Sequence, residues 1–143
     1  MKIVIAGAGI GGMVAAAELG RMGFSVTVYE QAESLDQMRY DWHDDVNPDI
    51  FKRLGIPVPK EHFNKKSWTF VSPFCAVTRE FHQDESHPDL SIERRPLNQV
   101  LYDRAAAHAT FVFGARVTGA LLAPGRVAGI IVNGEKIAAD LVI

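Results

Sequence analysis

The stretch MKIVIAGAGIGGMVAAAELGRMGFSVTVYE opens the chain and constrains its fold more than any other part. Lys2 to Ala6 is a short run of β-branched and apolar residues, which predicts a buried strand. Gly7 to Gly12 predicts a turn. Met13 to Met22 is rich in strong helix formers and predicts a helix, stopped by Gly23. Ser25 to Glu30 predicts a second strand. Strand, helix and strand within thirty residues, joined by short links, make a β-α-β unit.

Within the turn the glycines fall at G-x-G-x-x-G spacing: Gly7, Gly9 and Gly12, with Ala8 and Gly11 between them. Gly7 lets the chain turn off the strand. Gly9 lacks a Cβ, so a pyrophosphate can approach the backbone. Gly12 lets the helix pack close to the sheet. The helix N-terminus offers N–H groups and roughly half a positive charge to phosphates. Glu30 ends the second strand and can accept hydrogen bonds from both hydroxyls of a ribose. A 2′-phosphate would be repelled there. The pattern has the strand, helix and acid that a dinucleotide-binding loop needs. Three readings stay open at this point: a nicotinamide dinucleotide, a flavin dinucleotide, or a ligand-free glycine turn.

Residues 31–47 are polar and give no periodic signal. Pro48 to Leu54 predicts a short helix, with Asn47 as its cap, Pro48 at its first position and Gly55 as its stop. A proline-punctuated connection follows. Ser67 to Val71 and Ala76 to Phe81 predict strands around the turn SPFC, and His82 to Leu90 a polar loop. Ser91 to Glu93 reads as extended. Pro96 to His108 predicts a helix with Leu97, Val100, Leu101 and Ala105 on one face. Thr110 to Phe113 predicts a core strand. Arg116 to Leu122, Arg126 to Val132 and Glu135 to Ala138 predict three more, separated by APG and NG. Asn-Gly is a strong hairpin signal. Asp140 to Ile143 begins another apolar strand.

Composition narrows the partners. A chain of 143 residues with 48% hydrophobic content suits one globular domain. A net charge of −2 gives no pull toward nucleic acid or anionic lipid. The lone Cys75 cannot form an internal disulfide, which points to a reducing, cytoplasmic setting. Glycines interrupt the apolar N-terminal run, which argues against a secretory signal. The sequence has no apolar run long enough for a membrane span.

GAGIGGMVAAAELGRMGFSVTVYE resembles the N-terminal motif of two-dinucleotide-binding-domain flavoproteins, with Gly20, Gly23, Val26, Val28 and Glu30 fitting its extended pattern. The resemblance implies that this motif holds the ADP half of FAD. SIERRPLNQVLYDRAA resembles a segment of the aromatic-hydroxylase and geranylgeranyl-reductase branch, where R-x-x-L-x-x-x-L opens a helix. Arg94, Leu97 and Leu101 match that spacing, and the resemblance implies that Arg94 meets FAD near its ribose and pyrophosphate. Residues 111–143 resemble the same branch's strand and meander, which implies that backbone near Val117 meets the adenine.

The implied fold is α/β: a Rossmann-like FAD-binding domain with a parallel sheet, a three-stranded antiparallel meander and a partial β hairpin from a substrate domain. Residues 1–143 would be the C-terminally truncated, N-terminal part of a FAD/NAD(P)-binding domain, with 37–90 as an inserted loop and hairpin region facing substrate. The implied cofactor is FAD with NAD(P)H as electron donor. The implied parent is an oxidoreductase, a reductase or a monooxygenase, acting on an apolar or aromatic small molecule, while the 143-residue piece alone would be inactive. The alternatives are a NAD-dependent Rossmann dehydrogenase and a non-catalytic domain.

MRYDWHDDVNPDIFKRLGIPVP carries the densest polar chemistry. One reading is a loop near flavin or substrate, where Trp42 stacks and His43 or Asp41 shuttles a proton. The other is a solvated polar loop. One histidine among aspartates gives no metal set. Trp68, Phe70, Phe74 and Phe81 would line a pocket or fill ordinary strand core. Cys75 has no partner thiol and is incidental.

Overall fold

The computed structural model describes residues 1–38 and 42–143. The chain divides into two units, Met1–Arg39 with Asn98–Ile143, and Tyr40–Leu97. In chain order the first unit begins with β1 (Lys2–Ala6), α1 (Ile10–Arg21) and β2 (Ser25–Tyr29). The second holds β3 (His43–Val46), α2 (Asp49–Leu54), β4 (His62–Asn64), β5 (Ser67–Val71), β6 (Thr78–His82) and β7 (Leu90–Glu93). Helix α3 (Arg94–Ala106) leads back into the first unit, which continues with β8 (Thr110–Val112), β9 (Val117–Ala123), β10 (Arg126–Val132), β11 (Glu135–Ala138) and β12 (Leu141–Val142).

In the first unit, β1 lies inside a parallel sheet of order β12-β1-β2-β8. Alternation along β1 builds two cores, because successive side chains of a strand face opposite ways. Val4 packs with Ala115, Ile130, Val132 and Ala139 of the antiparallel β11-β10-β9 sheet and its flanks. Ile3 and Ile5 face the other way, where Gly12 of α1 approaches the Ile5 side chain. All three β1 residues are almost wholly buried. The parallel sheet is thus covered by α1 on one face and the meander on the other. Tyr102 of α3 meets Phe111 of β8 edge-on, with ring centroids 4.9 Å apart.

The second unit has a three-stranded sheet of order β3-β7-β4, whose central strand buries Leu90 and Ile92. A separate hairpin pairs β5 with β6. Trp68, Phe70 and Phe81 cluster there at 5.8 and 5.9 Å between ring centroids, yet Phe70 and Phe81 are exposed and Phe74 wholly so. The expectation of ordinary strand core fails for these residues: among the described residues the β5–β6 hairpin pairs with no other strand, and its aromatics stay open to solvent.

Several boundaries differ from the sequence reading. Helix α1 starts at Ile10, three residues early, with extended Gly9 as its cap. Helix α2 starts one residue late. Asn47 still acts as a capping acceptor, taking the Asp49 N–H at 2.9 Å. Helix α3 starts at Arg94 with Pro96 in its first turn, where the missing N–H breaks no intrahelical bond. Strand β6 starts at Thr78, because a 3-10 turn over Pro73–Cys75 takes Ala76 as its end. Strands β3 and β4, absent from the sequence reading, form by pairing with β7 on either side.

Candidate dinucleotide-binding site

The site in the first unit is built where β1 and β2 end. Gly7 takes φ of +106°, a conformation that favours glycine, and its N–H donates to the Tyr29 carbonyl at 2.8 Å. Next along the loop, the Ala8 N–H donates to Glu30 Oε2 at 2.8 Å. The other carboxylate oxygen, Oε1, accepts the Ala32 N–H at 2.9 Å. Glu30 also donates its own N–H to Val112 and accepts the Ala115 N–H on its carbonyl. The acid is buried, and both its oxygens are held by fixed donors. An ionised carboxylate has about four acceptor positions, so these two bonds leave capacity for a diol.

Helix α1 begins directly after the loop. Its first N–H groups have no partner within the helix and carry the positive end of its dipole. A Cβ at Gly9 would meet nothing within 4 Å, so the loop is open on its outer side. A Cβ at Gly12 would lie 2.1 Å from the Gly7 carbonyl oxygen, so only glycine fits that turn of helix.

Two cavities meet at Glu30. One, of about 610 Å³, is lined by Gly9, Glu30, Gln31, Ala32, Gln37, Met38 and Arg116. The other, of about 280 Å³, is lined by Ala6, Gly7, Tyr29, Glu30, Gln31, Ala115, Arg116 and Val117. Both therefore include Glu30, Gln31 and Arg116. Gly7, Gly9, Glu30 and Val117, singled out from the sequence, come together around this groove. Ala8 is buried beneath it, and Gly11 and Gly12 lie within α1.

Arg116 was not singled out from the sequence, and neither was the residue that holds its backbone. Asn133 sits at φ of +48° in the turn between β10 and β11. Its Oδ1 accepts the Arg116 N–H at 3.1 Å, and its Nδ2 donates to the Gly114 carbonyl at 3.1 Å. Its own N–H donates to the Arg116 carbonyl at 3.1 Å. The NG dipeptide signalled this turn, but only the tertiary fold brings it to residues 114–116.

The remaining candidates lie in the second unit. Arg94 donates from Nε and Nη2 to the two oxygens of Asp44, each at 2.9 Å, a bidentate pair. Its backbone N–H donates to the Trp42 carbonyl at 3.1 Å. The Trp42 side chain is exposed. His43 is a strand residue rather than part of a loop, because β3 pairs with β7, and its Nε2 lies 3.8 Å from Glu93 Oε1. Asp41 lies outside the described residues. Among the described residues, no group of three His, Cys, Asp or Glu side chains is arranged to hold a metal. No helix among them is long and apolar enough to cross a membrane.

Residues 5–49 match the family described as NAD(P)-binding Rossmann-like domain. The chain is 26% identical, over 98% of its length, to a probable electron transfer flavoprotein-quinone oxidoreductase of Escherichia coli, and spans 35% of that protein. It is 31% identical, over 59% of its length, to the zeta-carotene-forming phytoene desaturase of Myxococcus xanthus, and spans 22% of that protein. The chain therefore covers about a third or less of these relatives. Among solved structures, it matches a geranylgeranyl bacteriochlorophyll reductase-like protein of Thermoplasma acidophilum with a TM-score of 0.77 at 18% identity, covering 99% of this chain and 38% of that one. CtdE in complex with FAD and a substrate gives 0.75 at 21% identity, with 99% and 36% covered. The flavin-dependent halogenase CmlS gives 0.69 at 27% identity, with 99% and 28% covered. The fold is that of the Rossmann-like part of flavin-dependent enzymes, which the chain resembles from end to end.

Proposed function

We propose that this chain is the FAD-binding portion of a flavin-dependent oxidoreductase that acts on an apolar or aromatic small molecule. The observation that carries the reading is the Glu30 carboxylate, fixed by Ala8 and Ala32 where the two cavities meet. A buried acid with defined acceptor directions suits the two hydroxyls of an adenosine ribose and disfavours a 2′-phosphate. The open outer side of Gly9 suits a pyrophosphate lying against the start of α1. Val117 lines the smaller cavity, a place suited to an adenine edge in this reading. The donor set therefore fits the ADP half of a dinucleotide.

The meander favours FAD over NAD. Between β8 and β12 the chain forms β9 to β11, an antiparallel sheet, where a simple nicotinamide-binding fold more often continues with a crossover helix. The likeness to flavoenzymes supports the same choice. Arg94 has a cofactor role in this reading, resting on its R-x-x-L-x-x-x-L spacing and supported by the fixed orientation that Asp44 gives its guanidinium. Trp42 and His43 stay candidates for stacking and proton transfer. Bound FAD would supply two-electron chemistry, drawing on NAD(P)H and delivering to substrate or oxygen. The chain's own part is to hold the ribose on Glu30, to receive phosphates at α1 and to orient the cofactor.

Calorimetric titration of the 143-residue chain with FAD, ADP and NAD⁺ tests this. FAD and ADP should compete for one site. A chain that takes up NAD⁺ and rejects FAD would overturn the flavin reading in favour of a nicotinamide-dependent enzyme.

A further inference from the structure

Arg116 is the only cationic side chain among the described residues lining the two cavities, and it lines both. None of the ion pairs among the described residues uses it. It is exposed on the same groove as Glu30, whose negative charge opposes any phosphate-bearing ligand entering there. Glu30 is well built for a ribose and badly placed electrostatically for the pyrophosphate attached to it. A cation in the same groove offsets that repulsion, and charges in a cleft act with less screening than on an open surface.

We propose that Arg116 is the charge-compensating residue of the nucleotide groove, and that Asn133 is the positioning residue that presents it. The inference rests on the nucleotide reading above and adds a division of labour to it: Glu30 selects the ribose, and Arg116 sets the affinity for the anionic part. Asn133 is suited to its role because three hydrogen bonds tie it to Gly114 and Arg116. They fix the backbone on which the guanidinium stands, while the side chain itself stays accessible to ligand.

Binding of ADP and of adenosine separates this from a stacking or purely structural role, because the two ligands share a nucleoside and differ in charge. NMR titration reaches the weak affinity expected of adenosine. Arg116→Ala should weaken ADP by roughly tenfold, the scale of one charge-assisted contact. It should leave adenosine within about twofold and make ADP binding less sensitive to salt. Arg116→Lys should keep most of the ADP affinity. Asn133→Gly preserves the positive-φ turn and removes both side-chain bonds, so it should move ADP in the same direction by less, again sparing adenosine. Thermal melts check that each variant is folded. Equal losses of ADP and adenosine in Arg116→Ala, or no loss of ADP, would overturn the proposal while leaving the nucleotide site intact. A wild-type chain that binds neither ligand would remove the nucleotide reading and this inference with it.

Discussion

The carboxylate of Glu30 accepts the backbone N–H of Ala8 at 2.8 Å, across 22 positions of sequence. The acid that marks the end of a glycine-loop motif is therefore also a strut of the loop. It ties the turn after β1 to the end of β2, and through Ala32 it orders the chain that follows. The shape of the loop and the ribose-binding capacity of the acid depend on the same side chain.

Glu30→Gln should expose that double role. A glutamine offers one carbonyl oxygen, so one of the two backbone N–H groups would face an amide donor. The expected cost is about 1–3 kcal/mol of stability, the usual range for a buried donor left without its acceptor. Urea denaturation would read it. ADP affinity should fall in the same variant, and the penalty against a 2′-phosphorylated nucleotide should shrink. A variant as stable as the parent would mean that the Ala8 and Ala32 contacts carry no net stability.

Gly9 and Gly12 should separate binding from folding. A methyl at Gly12 would collide with the Gly7 carbonyl, so Gly12→Ala should lose about 1–3 kcal/mol by overpacking. A methyl at Gly9 meets nothing, and its φ of −68° is ordinary for any residue. Gly9→Ala should melt near the parent temperature yet bind FAD at least tenfold more weakly, since the methyl occupies the pyrophosphate's approach. Undiminished FAD binding by a folded Gly9→Ala chain would argue against a pyrophosphate on that side.

Arg94→Ala tests the second predicted cofactor contact. Its loss should weaken FAD while costing about 1 kcal/mol of stability or less, as expected for a partly exposed ion pair. Arg94→Lys should behave nearly as badly, because an ammonium cannot reproduce the two-pronged contact with Asp44. Tight FAD binding unchanged in both variants would remove Arg94 from the site.

Acid stability should depend on Glu18. Its hydrogen bond from Arg104 holds the carboxyl below the ordinary glutamate range. A lowered folded value means that the stabilisation is complete above the unfolded value of about 4.3 and is lost as pH falls through the folded value. The difference in melting temperature between the parent and Glu18→Gln should be constant well above the unfolded value of about 4.3 and narrow as pH falls below it. A gap independent of pH would show that the pair's charge plays no part.

The sequence was legible where local chemistry decides. Val, Ile and Ala alternate or cluster in β1 and β2, and the APG and NG turns divide β9, β10 and β11, so these strands emerge close to where they are expected. It was opaque where pairing decides. His43–Val46 reads HDDV, with no alternation and little strand preference, yet it is a strand because β7 offers it a free edge. The α1 boundary was misjudged for a related reason. Gly11 and Gly12 look unfit for a first helical turn, and the nearness of Gly12 to the Gly7 carbonyl explains why glycine is required at position 12.

By itself, the sequence determined the β-α-β unit, its glycine loop, the acid at its end and the hairpins that follow, because each depends on residues close together along the chain. Tertiary structure decided what surrounds that acid. It carried Arg116 to the groove on a segment clamped by Asn133, and it paired Arg94 with Asp44 across 50 positions. It also left the aromatic hairpin exposed rather than buried. Charge partners and cavity walls come from segments far apart in sequence, and no local pattern encodes which of them will meet.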